Sequence, residues 1–468
     1  MQPHSNGLKV LLMACAALSG LTQRAPAQVD IPITHFIFII QENHSFDNYF
    51  GTFPHANGIP ANTALPSYPG GPAVEKPFLS DNVTPPDLSH AWVSATLDYD
   101  NGAMDGFLWG EWPLASKYYG KAIPMPTPNP AEVTIVQRTQ PHASVEHLQE
   151  LPSGEVRSPH GFADDEDADA PDVEELNDKA LEAEPKPSGT PDPTQRPQWV
   201  INTLSYYDDT VIPNYWLYAK KFTLCDEFFS ALRGPSMPNH LYAVAAQSGG
   251  LVYNLPKDRE AIYSFPSIVE LLGGGNVTWT YYVDGNPQAE TLWNPLPGFE
   301  NYAGSHAVLR HLAKTSQFFK DIKGGSLPEV CWLIPDQTES EHPPKNIQTG
   351  MWYVTNLVNA VMQSSYWDSC AIIIFWDDYG GFYDHVPPSQ IDQYGYGFRV
   401  PALVLSPYAQ SGVVVHTKYD LTSPLSLLEQ KFKLAALTNR DGLSNSMLDC
   451  FNFSQTPLPP VVIPTPTP

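Results

Sequence analysis

The chain is poor in positive charge. Lys and Arg together number 25 among 468 residues, against 50 Asp and Glu, which gives a formal net charge of −25. Proteins that bind nucleic acid or an anionic membrane surface through charge need a basic patch to do so. We therefore exclude nucleic acid as a partner. Residues 164–184 hold 11 of the acids and one Lys, but the rest of the chain is also acidic, so net charge says little about any site.

The chain also lacks an apolar run long enough to cross a membrane. No run reaches the roughly 18 apolar residues that a transmembrane helix needs. The N-terminus carries Lys9, the short apolar run VLLMACAALSGL and the small-residue site Ala25-Pro26-Ala27. This pattern predicts a signal peptide over residues 1–27 and a protein that is periplasmic or secreted. A lipoprotein signal at LMAC, with Cys15 lipidated, is the alternative.

Cysteine is scarce, and no C-x-x-C spacing indicates a zinc site. Five cysteines are present, and removal of the signal peptide would leave four of them: Cys225, Cys331, Cys370 and Cys450. In an oxidising compartment these four allow two disulfides, in any of three pairings. Free buried thiols are an equal expectation, because Cys331 and Cys370 lie at or next to predicted buried strands.

Short apolar segments alternate with helical patterns along the chain. Five segments predict buried strands: 35–40, 277–283, 329–334, 371–376 and 400–406. Helices are predicted at 212–221, 239–247, 266–272, 304–320, 352–363 and 424–436. This alternation predicts an α/β fold of three layers, with a mostly parallel central sheet and helices on both faces.

One catalytic domain is expected over residues 28–455. Within it, residues 131–198 are polar, acidic and poor in large aliphatic side chains, so we expect a partly mobile insertion there. The Pro/Thr-rich residues 456–468 predict a tail.

Carboxylates and amides gather where the predicted strands end. Glu42-Asn43 follow the first strand, and Asp377-Asp378 follow the fourth and precede two glycines. In open α/β sheets, ligands bind outside the carboxyl ends of the strands. Adjacent carboxylates repel unless a cation holds them, so the four side chains predict one divalent metal site. Oxygen ligands suit Ca, Mg or Mn best, and Zn or Fe remains open. The alternative is that these acids are helix caps or solvated turn residues.

A serine opens one of the predicted helices. Ser236 precedes Pro238 and an apolar helical pattern, and a helix N-terminus can bind phosphate through free N–H groups. A metal beside Ser236 would lower the pKa of its hydroxyl and make it a nucleophile. An ordinary helix cap is the alternative reading. Among the histidines, His90, His306, His342 and His385 are candidates to contact phosphate or protonate a leaving group, although a loop histidine is more often structural.

Several longer segments resemble one family. QENHSFDNYFG at 41–51, GPSMPN at 234–239 and FWDDYGGFYDHVPP at 375–388 are similar to signature segments of the bacterial phospholipase C and acid phosphatase phosphoesterases. A segment running from Leu327-Pro328 to Glu341-His342-Pro343 matches in order and spacing. The resemblance covers roughly residues 33–440 apart from the acidic insertion. The chain departs from the pattern at His240, where the family often has Arg.

The resemblance implies an alkaline-phosphatase-like α/β/α fold with one metal ion. By carry-over, the metal ligands are expected to be Glu42, Asn43, Asp377, Asp378 and Ser236, with Ser236 as the nucleophile. The catalytic and phosphate-contacting residues would be His90, His342 and Asn43, together with His306 as a further phosphate ligand.

The expected function is a metal-dependent phosphoric-ester hydrolase, phospholipase C-like or acid phosphatase-like. Its substrate would be a small phosphoester or a phospholipid head group. The alternative is a catalytically inactive, exported binding protein on the same fold.

Overall fold

The computed structural model describes residues 30–112, 123, 125–137, 192–256, 259–287, 292–302 and 305–464. The predicted signal peptide, residues 138–191 of the predicted insertion and the last four residues of the predicted tail lie outside this range. Expectations about their structure therefore stay predictions.

An eight-stranded sheet forms the centre of the unit that spans residues 33–468. Its strands, in chain order, are β1 (His35–Gln41), β2 (Thr223–Cys225), β3 (Trp279–Val283), β4 (Leu312–Lys314), β5 (Val330–Ile334), β6 (Cys370–Trp376), β7 (Ala402–Leu405) and β8 (Val413–Val415). Across the sheet they lie in the order β4-β3-β5-β1-β6-β7-β2-β8. All neighbours are parallel except β7, which runs antiparallel to β6 and β2. The prediction of a mostly parallel sheet is confirmed.

The sheet is covered on both faces. Successive side chains of a strand point to opposite faces, yet every residue of β5, β6 and β7 is buried. Such continuous apolar strands are typical of a parallel sheet between two helical layers. The three-layer prediction is therefore confirmed, and all five predicted strands are present as β1, β3, β5, β6 and β7.

Helices connect and cover these strands. Those in the described residues are α1 (Phe46–Phe50), α2 (Trp92–Tyr99), α3 (Phe107–Gly110), α4 (Pro213–Lys221), α5 (Ser236–Ala245), α6 (Ile268–Gly274), α7 (His306–Leu309), α8 (Thr315–Gly324), α9 (Ile347–Met362), α10 (Ser423–Phe432) and α11 (Asn439–Leu443). Short 3-10 turns occupy Asp100–Gly102, Pro193–Gln195, Gln198–Leu204, Leu296–Gly298, Ser365–Ser369 and Leu448–Cys450.

Five of the six predicted helices are present, as α4, α5, α6, α9 and α10. The prediction of one helix over 304–320 is wrong, because α7, β4 and α8 share this stretch. Leu312–Lys314 pairs with Tyr281–Val283 at the edge of the sheet. The backbone hydrogen bonds of this edge pairing override a local helical pattern.

Four pairs of short strands lie outside the central sheet. They join Leu65–Pro66 to Ala73–Glu75, Phe78–Leu79 to Ser205–Tyr206, Val133–Gln137 to Arg259–Tyr263, and Phe228–Phe229 to Tyr419–Asp420. The pair at 133–137 shows that the first residues of the predicted insertion join the ordered fold. At the other end, the Asn359 side chain holds the predicted tail by two hydrogen bonds to the backbone of Ile463, at 2.7 and 3.0 Å.

The four cysteines beyond the N-terminal region are buried thiols. Cys225 and Cys450 lie with their Sγ atoms 3.6 Å apart. Cys331 on β5 and Cys370 on β6 are separated by β1, which lies between those strands. None of the three two-disulfide pairings agrees with this geometry: Cys225 and Cys450 are close enough to form a single disulfide, whereas Cys331 and Cys370 stay apart as thiols.

None of the helices in the described residues has the length and apolar character needed to cross a bilayer.

Candidate active site

Parallel pairing of β1 with β6 brings the first two candidate segments together. Gln41 pairs with Trp376, and these are the last residues of their strands. The Asp377 N–H then donates to the Gln41 carbonyl oxygen at 3.0 Å. Glu42-Asn43 and Asp377-Asp378 therefore leave the sheet side by side, and all four residues are buried.

Two left-handed residues fix the turns that follow the strands. Asn43 has φ of 61°, and its N–H donates to Asp377 Oδ1 at 3.2 Å. Gly380 has φ of 61°, and a Cβ at this position would lie 2.2 Å from the Asn43 carbonyl oxygen. The close approach of the two turns therefore requires glycine at position 380.

The Asn43 amide lies between the carboxylates and two histidines. One arm of the amide is 3.0 Å from Asp377 Oδ1 and 3.1 Å from Glu42 Oε2. The other arm is 2.9 Å from Nε2 of both His90 and His342. The Asn43 amide therefore lies between the predicted metal ligands and the two histidines that were predicted to contact phosphate.

Ser236 completes the cluster from helix α5, of which it is the first residue. Its hydroxyl lies 3.3 Å from both Asn43 Oδ1 and Asp378 Oδ2. The Asn239 side chain clamps the preceding loop, because its Oδ1 accepts from the N–H of Ala231 and Leu232 and its Nδ2 donates to two carbonyl oxygens, those of Gly234 and Pro235. Ser236 is not the N-cap of this helix, because Pro235 occupies that position and Ser236 is already helical.

His90 and His342 are held in one tautomer. Nδ1 of His90 is 2.8 Å from the Leu88 carbonyl oxygen, and Nδ1 of His342 is 2.6 Å from that of Pro343. A carbonyl can only accept, so each Nδ1 carries a proton and each Nε2 faces Asn43. The two rings lie 5.7 Å apart. His306 begins α7, but its side chain lies outside the described residues, so its predicted contact with phosphate stays a prediction.

One residue of the cluster was not predicted. His240 is buried, with Nε2 2.8 Å from Glu42 Oε1 and 3.7 Å from Asp377 Oδ2. It lies four residues after Ser236 on α5, and residues at this spacing share a helix face. That spacing was the available signal. Because Glu42 turns Oε1 to His240 and Oε2 to Asn43, His240 fixes which carboxylate oxygen faces the centre of the cluster.

The buried carboxyl groups of the cluster need either protons or a positive ion to balance their charge. Burial raises the pKa of Glu42 to about 8, and burial together with the charge of Glu42 raises the pKa of Asp377 to about 8. Burial lowers the pKa of His240 to about 4, so its imidazole is neutral at pH 7. Among the described residues, no Lys or Arg pairs with Glu42 or Asp377, and Asp377 Oδ2 has no hydrogen-bond partner. Buried carboxylates, an amide oxygen and a hydroxyl form a donor set that fits a divalent cation.

Glu341 anchors the loop that carries His342. Its buried carboxylate accepts hydrogen bonds from Tyr215 at 2.5 Å, Tyr49 at 2.7 Å, and Gln41 and Trp376 at 3.2 Å each. Gln41 and Trp376 are the last residues of β1 and β6. The His342 loop is therefore tied to the same strand ends that carry Glu42 and Asp377.

His385 belongs to a second group of side chains, in which it contacts Asp47. Its N–H and Nδ1 contact Asp47 Oδ2 at 2.8 and 2.7 Å. The buried Arg399 guanidinium pairs with Asp47 Oδ1 at 3.0 Å and with Asp384 at 2.9 and 3.1 Å. These four side chains join the 41–51 segment to the 375–388 segment.

Comparisons with known proteins show which family this chain resembles. The phosphoesterase family model matches residues 33–151 and 158–435. "Phospholipase C A" of Mycobacterium tuberculosis is 25% identical over 494 aligned positions, which cover 91% of this chain and 78% of that protein. "Non-hemolytic phospholipase C" of Pseudomonas aeruginosa is 24% identical, with 90% of this chain and 57% of that protein covered.

A plant relative and one solved structure extend the comparison. "Non-specific phospholipase C5" of Arabidopsis thaliana is 28% identical over 51% of this chain and 50% of that protein. A solved protein in the alkaline phosphatase superfamily from Vibrio parahaemolyticus aligns with 13% identity and a TM-score of 0.34 over 50% of this chain and 63% of that chain. The match of the family model across most of the sequence shows that the chain belongs to the phosphoesterase family.

Proposed function

We propose that this chain is a metal-dependent phosphoric-ester hydrolase with Ser236 as its nucleophile. The observation that carries the proposal is the position of the Ser236 hydroxyl, 3.3 Å from both Asn43 Oδ1 and Asp378 Oδ2. A nucleophilic serine beside buried carboxylates and two histidines suits attack on phosphorus.

The proposed cation site consists of Glu42, Asn43, Asp377 and Asp378, with Ser236 as neighbour. A divalent cation held there would neutralise charge on the phosphoryl oxygens and lower the pKa of the serine hydroxyl. Its identity stays open among Ca, Mg, Mn, Zn and Fe, although the oxygen donors favour the first three.

The residues of the chain divide the remaining work. Ser236 Oγ attacks phosphorus while Asp378 Oδ2 accepts its hydrogen bond, and the leaving-group oxygen departs. His90 and His342 lie on the opposite side of Asn43, with Nε2 directed toward it, where they can contact phosphoryl oxygens and assist the leaving group. Water then cleaves the phosphoserine ester and regenerates the hydroxyl.

Two substrate classes follow from the relatives and from the site. The relatives bear the name phospholipase C, which suggests a phospholipid head group, whereas the buried carboxylates, serine and histidines of the cluster also suit small phosphomonoesters. Comparing hydrolysis of p-nitrophenyl phosphorylcholine with that of p-nitrophenyl phosphate separates these classes. We further propose export to the periplasm or medium, on the strength of the signal-peptide pattern alone.

Ser236→Ala tests the nucleophile. We expect turnover to fall to background while thermal unfolding and metal content match the parent protein, because the change removes one oxygen atom. Near-normal activity of Ser236→Ala would refute the assignment. Parent protein that carries metal but hydrolyses no phosphoester would favour the alternative of an inactive binding protein.

A further inference from the structure

Arg233 is a buried cation without an anionic partner in the part of the chain that the structure describes. The residue is 8% exposed, and among the described residues no carboxylate pairs with it. Its Nε is buried and has no hydrogen-bond acceptor among the residues that the structure describes. Arginine is almost never buried unless paired, since removing the charge from water costs several kcal/mol. By contrast, the buried Arg399 has carboxylates on two sides.

A second unsatisfied donor lies beside it. The Trp92 indole Nε1 is buried and also has no acceptor. The Arg233 guanidinium carbon is 6.0 Å from the Trp92 ring centroid and 4.2 Å from that of Tyr99. Two neighbouring N–H donors of different side chains thus have no acceptor among the described residues, an arrangement that suits a group rich in oxygen.

Both donors belong to segments that build the proposed active site. Arg233 lies three residues before Ser236, at most about 11 Å along the chain, in the loop that Asn239 clamps. Trp92 lies two residues after His90, at the start of α2, and His90 Nε2 is 2.9 Å from the Asn43 side chain. Each donor therefore lies within three residues, along the chain, of a side chain of the proposed active site.

We propose that Arg233, with Trp92, binds an anionic oxygen group of the substrate and selects phosphomonoesters over phosphocholine esters. This inference rests on the proposed function and names its substrate class. A monoester phosphate carries a second negative charge, which the guanidinium can pair with and which a diester lacks.

The same geometry disfavours choline. Trp92 and Tyr99 are the kind of aromatic pair that can hold a quaternary ammonium group by cation–π contact. Here the Arg233 guanidinium already occupies the face of Tyr99, so a second cation would meet like charge.

The experiment compares Arg233→Met with the parent protein on two substrates. Methionine keeps an unbranched apolar side chain against the rings but removes the charge and the donors. For p-nitrophenyl phosphate at pH 7.5 we expect KM to rise about tenfold or more, as for the loss of a charged hydrogen bond. For p-nitrophenyl phosphorylcholine, kcat/KM should stay within about twofold or increase.

Three controls make the result specific. Arg233→Lys keeps the charge and should recover part of the lost affinity for the monoester. Arg196→Met removes a partly buried arginine that already pairs with Glu75 at 3.1 Å, and it should leave KM and kcat unchanged for both substrates. Thermal unfolding of each variant checks that the fold is kept. Equal losses on the two substrates, or an unchanged KM for the monoester, would overturn the inference.

Direct binding separates this inference from the proposed function. Calorimetric titration with inorganic phosphate needs no turnover, and Arg233→Met should weaken that binding about tenfold. If the parent protein hydrolyses nothing, the proposed function fails, and the phosphate titration still decides the role of Arg233. If hydrolysis occurs and both phosphate affinity and the substrate ratio are unchanged in Arg233→Met, the inference alone fails.

Discussion

Arg399 offers a sharp test of how the signature segments are held together. Its guanidinium is fully buried and pairs with Asp47 and with both oxygens of Asp384. It also donates to the carbonyl oxygens of Asn57 and Asp226, at 2.8 Å each. Arg399→Met would keep much of the volume but remove the charge and every one of these hydrogen bonds.

The expected cost is large. Removing one partner of a buried ion pair destabilises a protein by about 3–5 kcal/mol, because the remaining charge stays buried without compensation. His385 still contacts Asp47 in the variant, so Asp384 is the carboxylate that loses most of its charge compensation. Urea unfolding at pH 7.5, followed by tryptophan fluorescence, measures the loss. A loss below about 1 kcal/mol would contradict the reasoning, since even one unsatisfied buried group costs that much.

The loss of stability in Arg399→Met should depend on pH. Burial raises the pKa of Asp384 to about 6, and the charge of Arg399 counteracts that rise. Without Arg399 the pKa rises further, so the folded variant holds a proton that the unfolded chain gives up near its ordinary pKa. A raised carboxyl pKa means stability that is lost as the pH increases through the folded pKa. The variant should therefore lose less at pH 5.5 than at pH 7.5.

A double variant supplies the matched control. Asp384→Asn removes the stranded charge, so Arg399→Met combined with Asp384→Asn should be more stable at pH 7.5 than Arg399→Met alone. Its stability should also depend less on pH between 5.5 and 7.5. Equal losses at both pH values in the single variant, or no recovery in the double variant, would show that packing rather than charge sets the effect.

Three further predictions concern the site and the cysteines. A divalent cation added to chelator-treated protein at pH 7 should release about one to two protons, because Glu42 and Asp377, with pKa near 8, must both ionise to bind it. Calorimetry in buffers of different ionisation enthalpy measures this release, and binding without proton release would contradict the prediction. Gly380→Ala should abolish activity and lower the free energy of unfolding by at least about 1–2 kcal/mol, because the residue has φ of 61° and the new Cβ would meet Asn43. Gly273→Ala, with open space around its Cβ, should be neutral or slightly stabilising. Equal effects of the two substitutions would be inconsistent with the turn geometry. Treatment with glutathione disulfide should join Cys225 to Cys450 and lower the number of thiols counted under denaturing conditions by two. In Cys225→Ser the treatment should not lower the thiol count by this disulfide. Four thiols in the oxidised parent protein, counted without Cys15, would exclude the disulfide.

The sequence was sufficient to predict that the carboxylates of the cluster lie together, because strand ends are predictable. The apolar runs at 35–40 and 371–376 predicted buried strands, and parallel strands place their carboxyl ends at one edge. From this it followed that Glu42 and Asp377 could meet, and the register of β1 with β6 brings them together. Strand ends alone could not predict that Ser236, His90 and His342 join the cluster, because the distance of these residues from the strand ends depends on the loops that carry them. The family resemblance supplied them.

Other features depend on contacts that a local pattern does not contain. His240 was noted only as a departure from the family pattern, although its spacing from Ser236 places both on one helix face. The predicted helix over 304–320 broke because a three-residue segment joined the edge of the sheet, which local periodicity cannot show. The tie between Glu341 and the ends of β1 and β6 joins residues about 300 and 35 positions apart in sequence, so only the folded chain reveals it.

Two pairs of buried carboxylates in the same fold are neutralised in different ways. Asp47 and Asp384 have Arg399 within 3.1 Å, so the chain itself supplies their counter-charge. Glu42 and Asp377 face His240, whose imidazole is neutral because burial lowers its pKa to about 4. Uncompensated buried charge costs several kcal/mol, so the second pair must take up either protons or an external cation. The first pair therefore holds the fold together, whereas the second leaves its charge to be balanced from outside, as a binding site for a cation requires.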